Sequence, residues 1–209
     1  MKTSLGNCLL LVPLLSILAS CVIPESNHVQ PTFHLLLESG IEGNESLPQT
    51  DFSFYIRQVE LPSYLQDSRL VSRPGEGLIE FRENDRWGEP LEDGIARVLG
   101  LNLGKRLNTL SFSVYPHRKK VSCAYDLSIT IQRFEHIGSD AILLEATCEI
   151  LCDKKVKHAR FVKKIELSGT EKGEENLAQE VRALSQSIGE YCDFLALRIS
   201  SPPTNGLDE

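Results

Sequence analysis

Cysteine and histidine are the residues here with the widest chemical range, and the chain has six of the first and five of the second. The histidines are His28, His34, His117, His136 and His158, and none stands in the H-E-x-x-H spacing that puts two zinc ligands on one helix face. There is no G-x-S-x-G elbow, no S-x-x-K pair and no glycine loop built to cradle phosphate. Gly75-Glu76-Gly77 is short and follows Pro74, so it reads as a turn. Carboxylates are plentiful, but they fall on polar faces and in turns, where solvent holds them. These patterns point away from an enzyme, and no metal or other cofactor is expected.

Cys21 stands apart from the other cysteines. Lys2 gives a positive start, Leu9 to Leu18 is an apolar run broken only by Pro13 and Ser16, and Leu18-Ala19-Ser20-Cys21 comes next. The run is too short to span a bilayer as a mature helix. Small residues before a cut let a chain enter a peptidase cleft in extended form, and the thiol of Cys21 supplies the nucleophile that takes up a diacylglyceryl group. The segment resembles the lipobox of bacterial lipoproteins. Residues 1–20 are therefore read as a signal peptide and Cys21 as the lipidation site, the covalent lipid being the only added group expected. Several acyl chains anchor stably where one does not. Residue 22 is Val rather than the Asp that favours inner-membrane retention in such lipoproteins. In a Gram-negative host this places the protein on the periplasmic face of the outer membrane.

Cys8 leaves with the leader, so Cys123, Cys148, Cys152 and Cys192 remain. An exported protein lives where disulfides persist, and at least one disulfide among the four is expected, with buried free thiols as the alternative. If the first hairpin turns on His136–Ser139, Cys123 lies across from Cys152. A shifted register sets it across from Cys148, and the remaining cysteine then reaches Cys192. The C-x-x-x-C spacing on a strand does not make a zinc site.

The elements that position these residues are legible from periodicity. Residues 21–32, with Pro24 and Pro31, form a lipidated tether, residues 33–200 one domain, and 201–209 a disordered tail. Phe33–Glu38, Phe52–Leu61 and Leu78–Arg82 read as strands, with Glu83–Trp87 as a turn. Pro90–Leu107 reads as a helix, with Pro in its first turn, Glu89, Glu92 and Asp93 at its positive end, and Lys105 and Arg106 at its negative end. Leu91, Ile95, Val98, Leu99, Leu103 and Leu107 make its apolar stripe. Gly94, Gly100 and Gly104 weaken this helix, so it needs tertiary packing. Ser111–Tyr115 adds a strand. Ser122–Gln132, Ala141–Cys152 and Ala159–Leu167 alternate apolar and polar residues, with Lys163 the exception, and tight turns near His136–Ser139 and Asp153–His158 make them antiparallel. Glu175–Ile199 reads as a helix whose stripe (Leu177, Val181, Leu184, Ile188, Tyr191, Leu195, Ile199) lies on the sheet. The fold class is α/β in the α+β sense: one domain with a mixed, largely antiparallel sheet and two main helices.

The composition is that of an ordinary globular protein, 41% hydrophobic and 24% charged. The formal charge is −7, and loss of Lys2 makes the mature chain more negative by one. An acidic protein repels phosphate backbones, which excludes nucleic acid as a partner. The basic clusters Arg118-Lys119-Lys120 and Lys154-Lys155 with Lys157 fall in turns and read as solvated charge.

One ordered series remains: Val59, then Leu61-Pro62-Ser63-Tyr64-Leu65, Leu70-Val71-Ser72-Arg73, Arg86-Trp87-Gly88-Glu89-Pro90-Leu91, and Leu99 with Asn102-Leu103. Together with the lipobox it resembles the PqiC (YmbA) family of ABC-type transport auxiliary lipoproteins, over about 54–107. Gly88 replaces the family's usual Ala, and Asp67-Ser68-Arg69 departs from the usual residues before Leu70. The residues themselves suggest that Pro62 ends a strand, that Tyr64 and Leu65 tuck back onto the sheet, and that Trp87 anchors the following helix. Arg86 and Glu89 either pair or satisfy backbone groups. Pro62, Tyr64, Leu65, Arg73, Arg86, Trp87, Glu89 and Pro90 are thus structural candidates first, and interface candidates where exposed.

The resemblance implies a non-catalytic subunit that works beside MCE-domain proteins and an ABC transporter moving lipid between membranes. This chain would dock a periplasmic MCE assembly to the outer membrane. The resemblance leaves open a ring or other homo-oligomer, and direct contact with lipid. An envelope lipoprotein regulating another machine, such as peptidoglycan synthesis, is the alternative, and an envelope hydrolase the third reading.

Overall fold

Two-residue alternation in the middle of the chain and a four-three apolar step in two other segments set the secondary structure. A computed structural model describes residues 29–39, 50–117, 123–167 and 174–200. The leader, Cys21, most of the tether, Arg118-Lys119-Lys120 and the tail 201–209 lie outside the described residues. Met1–Gln30 and Pro31–Glu209 are separate units, and all the described strands and helices belong to the second. Its strands are β1 (Thr32–His34), β2 (Phe54–Ile56), β3 (Arg69–Arg73), β4 (Glu80–Trp87), β5 (Phe112–Val114), β6 (Tyr125–Ile137), β7 (Ala141–Cys152) and β8 (Lys155–Glu166). Its helices are α1 (Leu91–Leu107) and α2 (Glu174–Ser200).

The β6–β7–β8 meander is antiparallel along its whole length. The β7–β8 turn is tighter than the sequence suggested: Asp153 and Lys154 take left-handed φ of 47° and 65°, as a two-residue hairpin turn with the sheet's twist requires. Lys155–His158, expected in the turn, therefore begin β8. The other edge of β6 is shared. Its start pairs in parallel with β2, its end with β3, and Thr130 bridges Glu60 between them. From β2 the sheet continues to β5, and from β3 through β4 to β1. The result is an eight-stranded mixed sheet, mostly antiparallel by length, with two helices: the α+β class expected.

β6 runs five residues past its expected end because a bulge between Ile131 and Arg133 resets the alternation. Leu127, Ile129 and Ile131 are buried before the bulge, and Phe134 and His136 after it. Three other expectations need correction. Glu83–Trp87 is not a turn but the second half of β4, held by β3 on one side and β1 on the other. The strand expected over Phe52–Leu61 is reduced to Phe54–Ile56 and the bridge at Glu60, while Arg69–Arg73, given no element from the sequence, is a strand. The strand expected over Phe33–Glu38 pairs only as far as His34.

Every residue of the two expected helical stripes is buried, and α2 packs on α1 and across β6, β7 and β8. α1 ends at Asn108 in the left-handed region (φ 49°), whose N–H donates to the carbonyls of Gly104 and Lys105. Gly100 and Gly104 have a packing reason. A Cβ on Gly100 would stand 2.9 Å from Val114 Cγ2, and one on Gly104 would stand 2.9 Å from Phe112 Cε1. β5 can approach α1 only because those side chains are missing. Lys163, the polar exception on β8, meets Glu190 of α2 at 2.6 Å.

Candidate functional site

Pro62 has φ −62° with extended ψ, and its carbonyl accepts the N–H of Leu65 at 2.9 Å. This one-turn 3-10 segment, Ser63–Leu65, drives Leu65 into the core. It also brings the Tyr64 hydroxyl to Glu135 Oε2, to which it donates at 2.9 Å. Arg73 ends β3, beside Ile137 of β6, and its Nε donates to Glu135 Oε1 at 2.9 Å. Arg133 Nε donates to the same oxygen at 2.9 Å, and the Phe134 N–H to Oε2 at 3.0 Å. Glu135 is 1% exposed, and an unpaired carboxylate at that depth would cost several kcal/mol. Four donors meet that cost. Burial, with the Glu135 carboxylate adding to it, pushes Tyr64 up to about 12, so the hydroxyl stays a donor. The Arg73 guanidinium lies 5.6 Å from the Tyr64 ring centre. Tyr64 and Arg73 of the sequence series thus meet on a third residue, Glu135, to which the series gave no pointer.

The second half of the series forms a separate structural unit. Trp87 closes β4 opposite His34 and is buried. Its N–H donates to the Ser68 carbonyl at 2.6 Å, and the Gly88 N–H to the His34 carbonyl at 2.8 Å. A Cβ on Gly88 would stand 3.2 Å from Leu35 Cδ2, so alanine there needs Leu35 to give way. Pro90 is the N-cap of α1, with Glu92 and Asp93 in the first turn. Arg86 and Glu89 do not pair. Glu89 turns onto α1, where it accepts from Arg97 Nη2 at 2.6 Å, and Arg97 Nη2 also donates to the Leu36 carbonyl at 3.2 Å. Arg86 Nε is buried with no hydrogen-bond partner among the described residues. The divergent Asp67-Ser68-Arg69 is a pinned turn: Asp67 accepts from the Arg69 backbone and guanidinium, each at 2.9 Å. Those bonds hold the Asp67 carboxyl down to about 2.

Cys123, Cys148, Cys152 and Cys192 are free thiols here. The expected facing of Cys123 and Cys152 is corrected by the register: Tyr125 stands opposite Cys152, and Ile129 opposite Cys148. Cys123 falls before the first residue of β6. Burial pushes Cys148 and Cys192 up to about 12.

Two further ion pairs were not expected. Arg57 grips the buried Asp126 with two of its guanidinium nitrogens, Nε–Oδ1 at 2.7 Å and Nη2–Oδ2 at 3.0 Å. Glu180 on α2 is 1% exposed and holds Arg82 of β4. Burial outweighs that attraction and raises Glu180 to about 7. The clue lay in the sequence: three past Leu177 and four before Leu184, Glu180 sits on the apolar stripe. No group of three or more metal-ligating side chains assembles among the described residues, and no helix there is long and apolar enough to cross a membrane.

The series therefore welds β3, β4, β6 and α1 together. Residues 36–196 match the ABC-type transport auxiliary lipoprotein component, which is most of the domain just described. The chain belongs to that family. The lipoprotein is also similar to two crystal structures. One is of an uncharacterized protein, 17% identical with a TM-score of 0.66, covering 82% of this chain and 100% of that one. The other is of a Xanthomonas campestris protein of family DUF330, 16% identical with a TM-score of 0.64, covering 79% of this chain and 95% of that one. At that identity they show a shared fold, in agreement with the PqiC (YmbA) resemblance. No curated protein matches the lipoprotein.

Proposed function

We propose that this auxiliary lipoprotein is held on the periplasmic face of the outer membrane by lipid on Cys21. There it docks the periplasmic MCE assembly of an ABC-type lipid transporter, with no chemical step of its own. The observation that carries the reading is the family match over 36–196 directly downstream of a lipobox ending at Cys21. The site supports it in kind. Both Glu135 oxygens are taken up by donors from three segments, and Trp87 and Leu65 are core residues. These groups hold a surface in shape rather than turn over a substrate. Val22 supports the outer membrane over the inner one.

Membrane fractionation tests the anchoring half. The wild type is expected in the outer-membrane fraction, Cys21→Ala in neither membrane, and Val22→Asp in the inner one. Wild-type protein in the soluble periplasm would overturn the reading.

A further inference from the structure

We infer that Phe33, Leu35 and Leu37 are a membrane-facing edge, laid on the leaflet that holds the Cys21 lipid; the inference rests on the anchoring proposed above. β1 is an edge strand, paired only with β4. Along it and past its end the chain places alternate residues inward: His34 against Asp85 at 3.2 Å, and Leu36 in the core. The residues between are 63%, 50% and 50% exposed at Phe33, Leu35 and Leu37. Single exposed leucines need no explanation, but three large apolar side chains in consecutive alternate positions do.

The segment is fixed in place. Arg97 Nη2 donates to the Leu36 carbonyl at 3.2 Å, the Leu37 N–H to Ser185 Oγ at 3.0 Å, and the Ser39 N–H to Asn102 Oδ1 at 3.0 Å. α1 and α2 thus both hold the row outward at a cost that buried leucines would avoid.

Chain length says what covers it. Twelve steps separate Cys21 from Phe33, at most about 40 Å fully extended, so the leaflet that holds the lipid stays within that reach of the row. Local charge permits the contact. The chain is acidic, yet four carboxylates near the row are paired with cations: Glu38 with Lys105 at 2.8 Å, Glu89 with Arg97 at 2.6 Å, Asp193 with Arg106 at 2.5 Å, and Glu190 with Lys163 at 2.6 Å. Arg182, exposed and without an ion-pair partner among the described residues, shares with Leu37 a groove of about 350 Å³. That sets a guanidinium at the Leu37 end of the apolar row, and a guanidinium pairs readily with a lipid phosphate. The lipid supplies the affinity and the row fixes the orientation of the domain.

The test uses full-length lipidated protein in phosphatidylethanolamine–phosphatidylglycerol vesicles, with and without brominated acyl chains. Phe33→Trp is the reporter and Leu110→Trp, also exposed, the control. Trp87, the one native tryptophan, is buried and gives a constant background. Both proteins should float with the vesicles, and bromine should quench Phe33→Trp but not Leu110→Trp. Flotation without quenching at 33 overturns the membrane edge and leaves the anchor standing. If the Phe33→Cys variant then crosslinks to a second molecule through that position, the row is a contact between copies. Failure to float overturns both readings.

Discussion

Arg73 and Glu135 stand far apart in sequence and meet at 2.9 Å, Nε to Oε1, where the end of β3 lies against the end of β6. Tyr64 and Arg133 complete the arrangement. The buried carboxylate joins the 3-10 turn after Pro62 to two strands, so its loss should be felt across the domain. Glu135→Ala leaves two guanidinium groups and a hydroxyl facing an empty site and is expected to cost about 3–5 kcal/mol. Tyr64→Phe removes one donor and should cost about 1–3 kcal/mol. Urea denaturation of both, and of the double variant, checks the coupling. The Tyr64→Phe penalty should shrink in the Glu135→Ala background.

Glu180 makes stability fall as pH rises. Its folded value is about 7 against an ordinary 4.5, so between those limits the folded state holds more protons than the unfolded one. The lost stability is on the order of 3 kcal/mol across the window. His136 works in the opposite sense: burial, with Arg82 adding to it, depresses its folded value below 6.5, and that contribution is lost as pH falls. Comparison with Glu180→Gln separates the two. The downward slope from pH 4.5 to 7 should vanish in the variant and the histidine slope should remain. An unchanged slope would remove Glu180 as its source.

Cys148 and Cys192 are buried and raised to about 12, so they stay protonated and unreactive at neutral pH. Alkylation of the folded mature protein without reductant should spare both. After unfolding, still without reductant, mass spectrometry should show four added groups. Two instead of four would establish the disulfide that an oxidising compartment favours.

Gly100→Ala pits helix propensity against packing. Alanine should gain up to about 1 kcal/mol in a helix interior. Here the new methyl would stand 2.9 Å from Val114 Cγ2 and 3.0 Å from Phe112 Cε2, and overpacking costs about 1–3 kcal/mol. A lowered midpoint in thermal unfolding is expected, and a raised one would mean that β5 is free to withdraw.

Periodicity carries the fold a long way. Both helical stripes are buried as expected, β7 has the expected ends, and the α+β class holds. It fails where pairing depends on a remote partner. β4 is polar along its second half and is a strand only because β1 and β3 bond to it. The bulge after Ile131 breaks the alternation that defines β6, and with it the view of Glu135. The site is half legible. The motif singles out Tyr64 and Arg73, but nothing local shows that they share a carboxylate more than sixty residues on. Trp87, expected as a helix anchor, is buried just ahead of α1. The Arg86–Glu89 pairing fails because Arg97, two turns into α1, competes for Glu89.

The docking claim is tested most directly by crosslinking the tagged lipoprotein in its native host and identifying what co-purifies, with Cys21→Ala as the control. Recovery of an MCE-domain protein with the wild type, and its loss with Cys21→Ala, is the expected result. Recovery of a peptidoglycan synthase with no MCE protein would contradict the docking role and assign the lipoprotein to a different envelope machine.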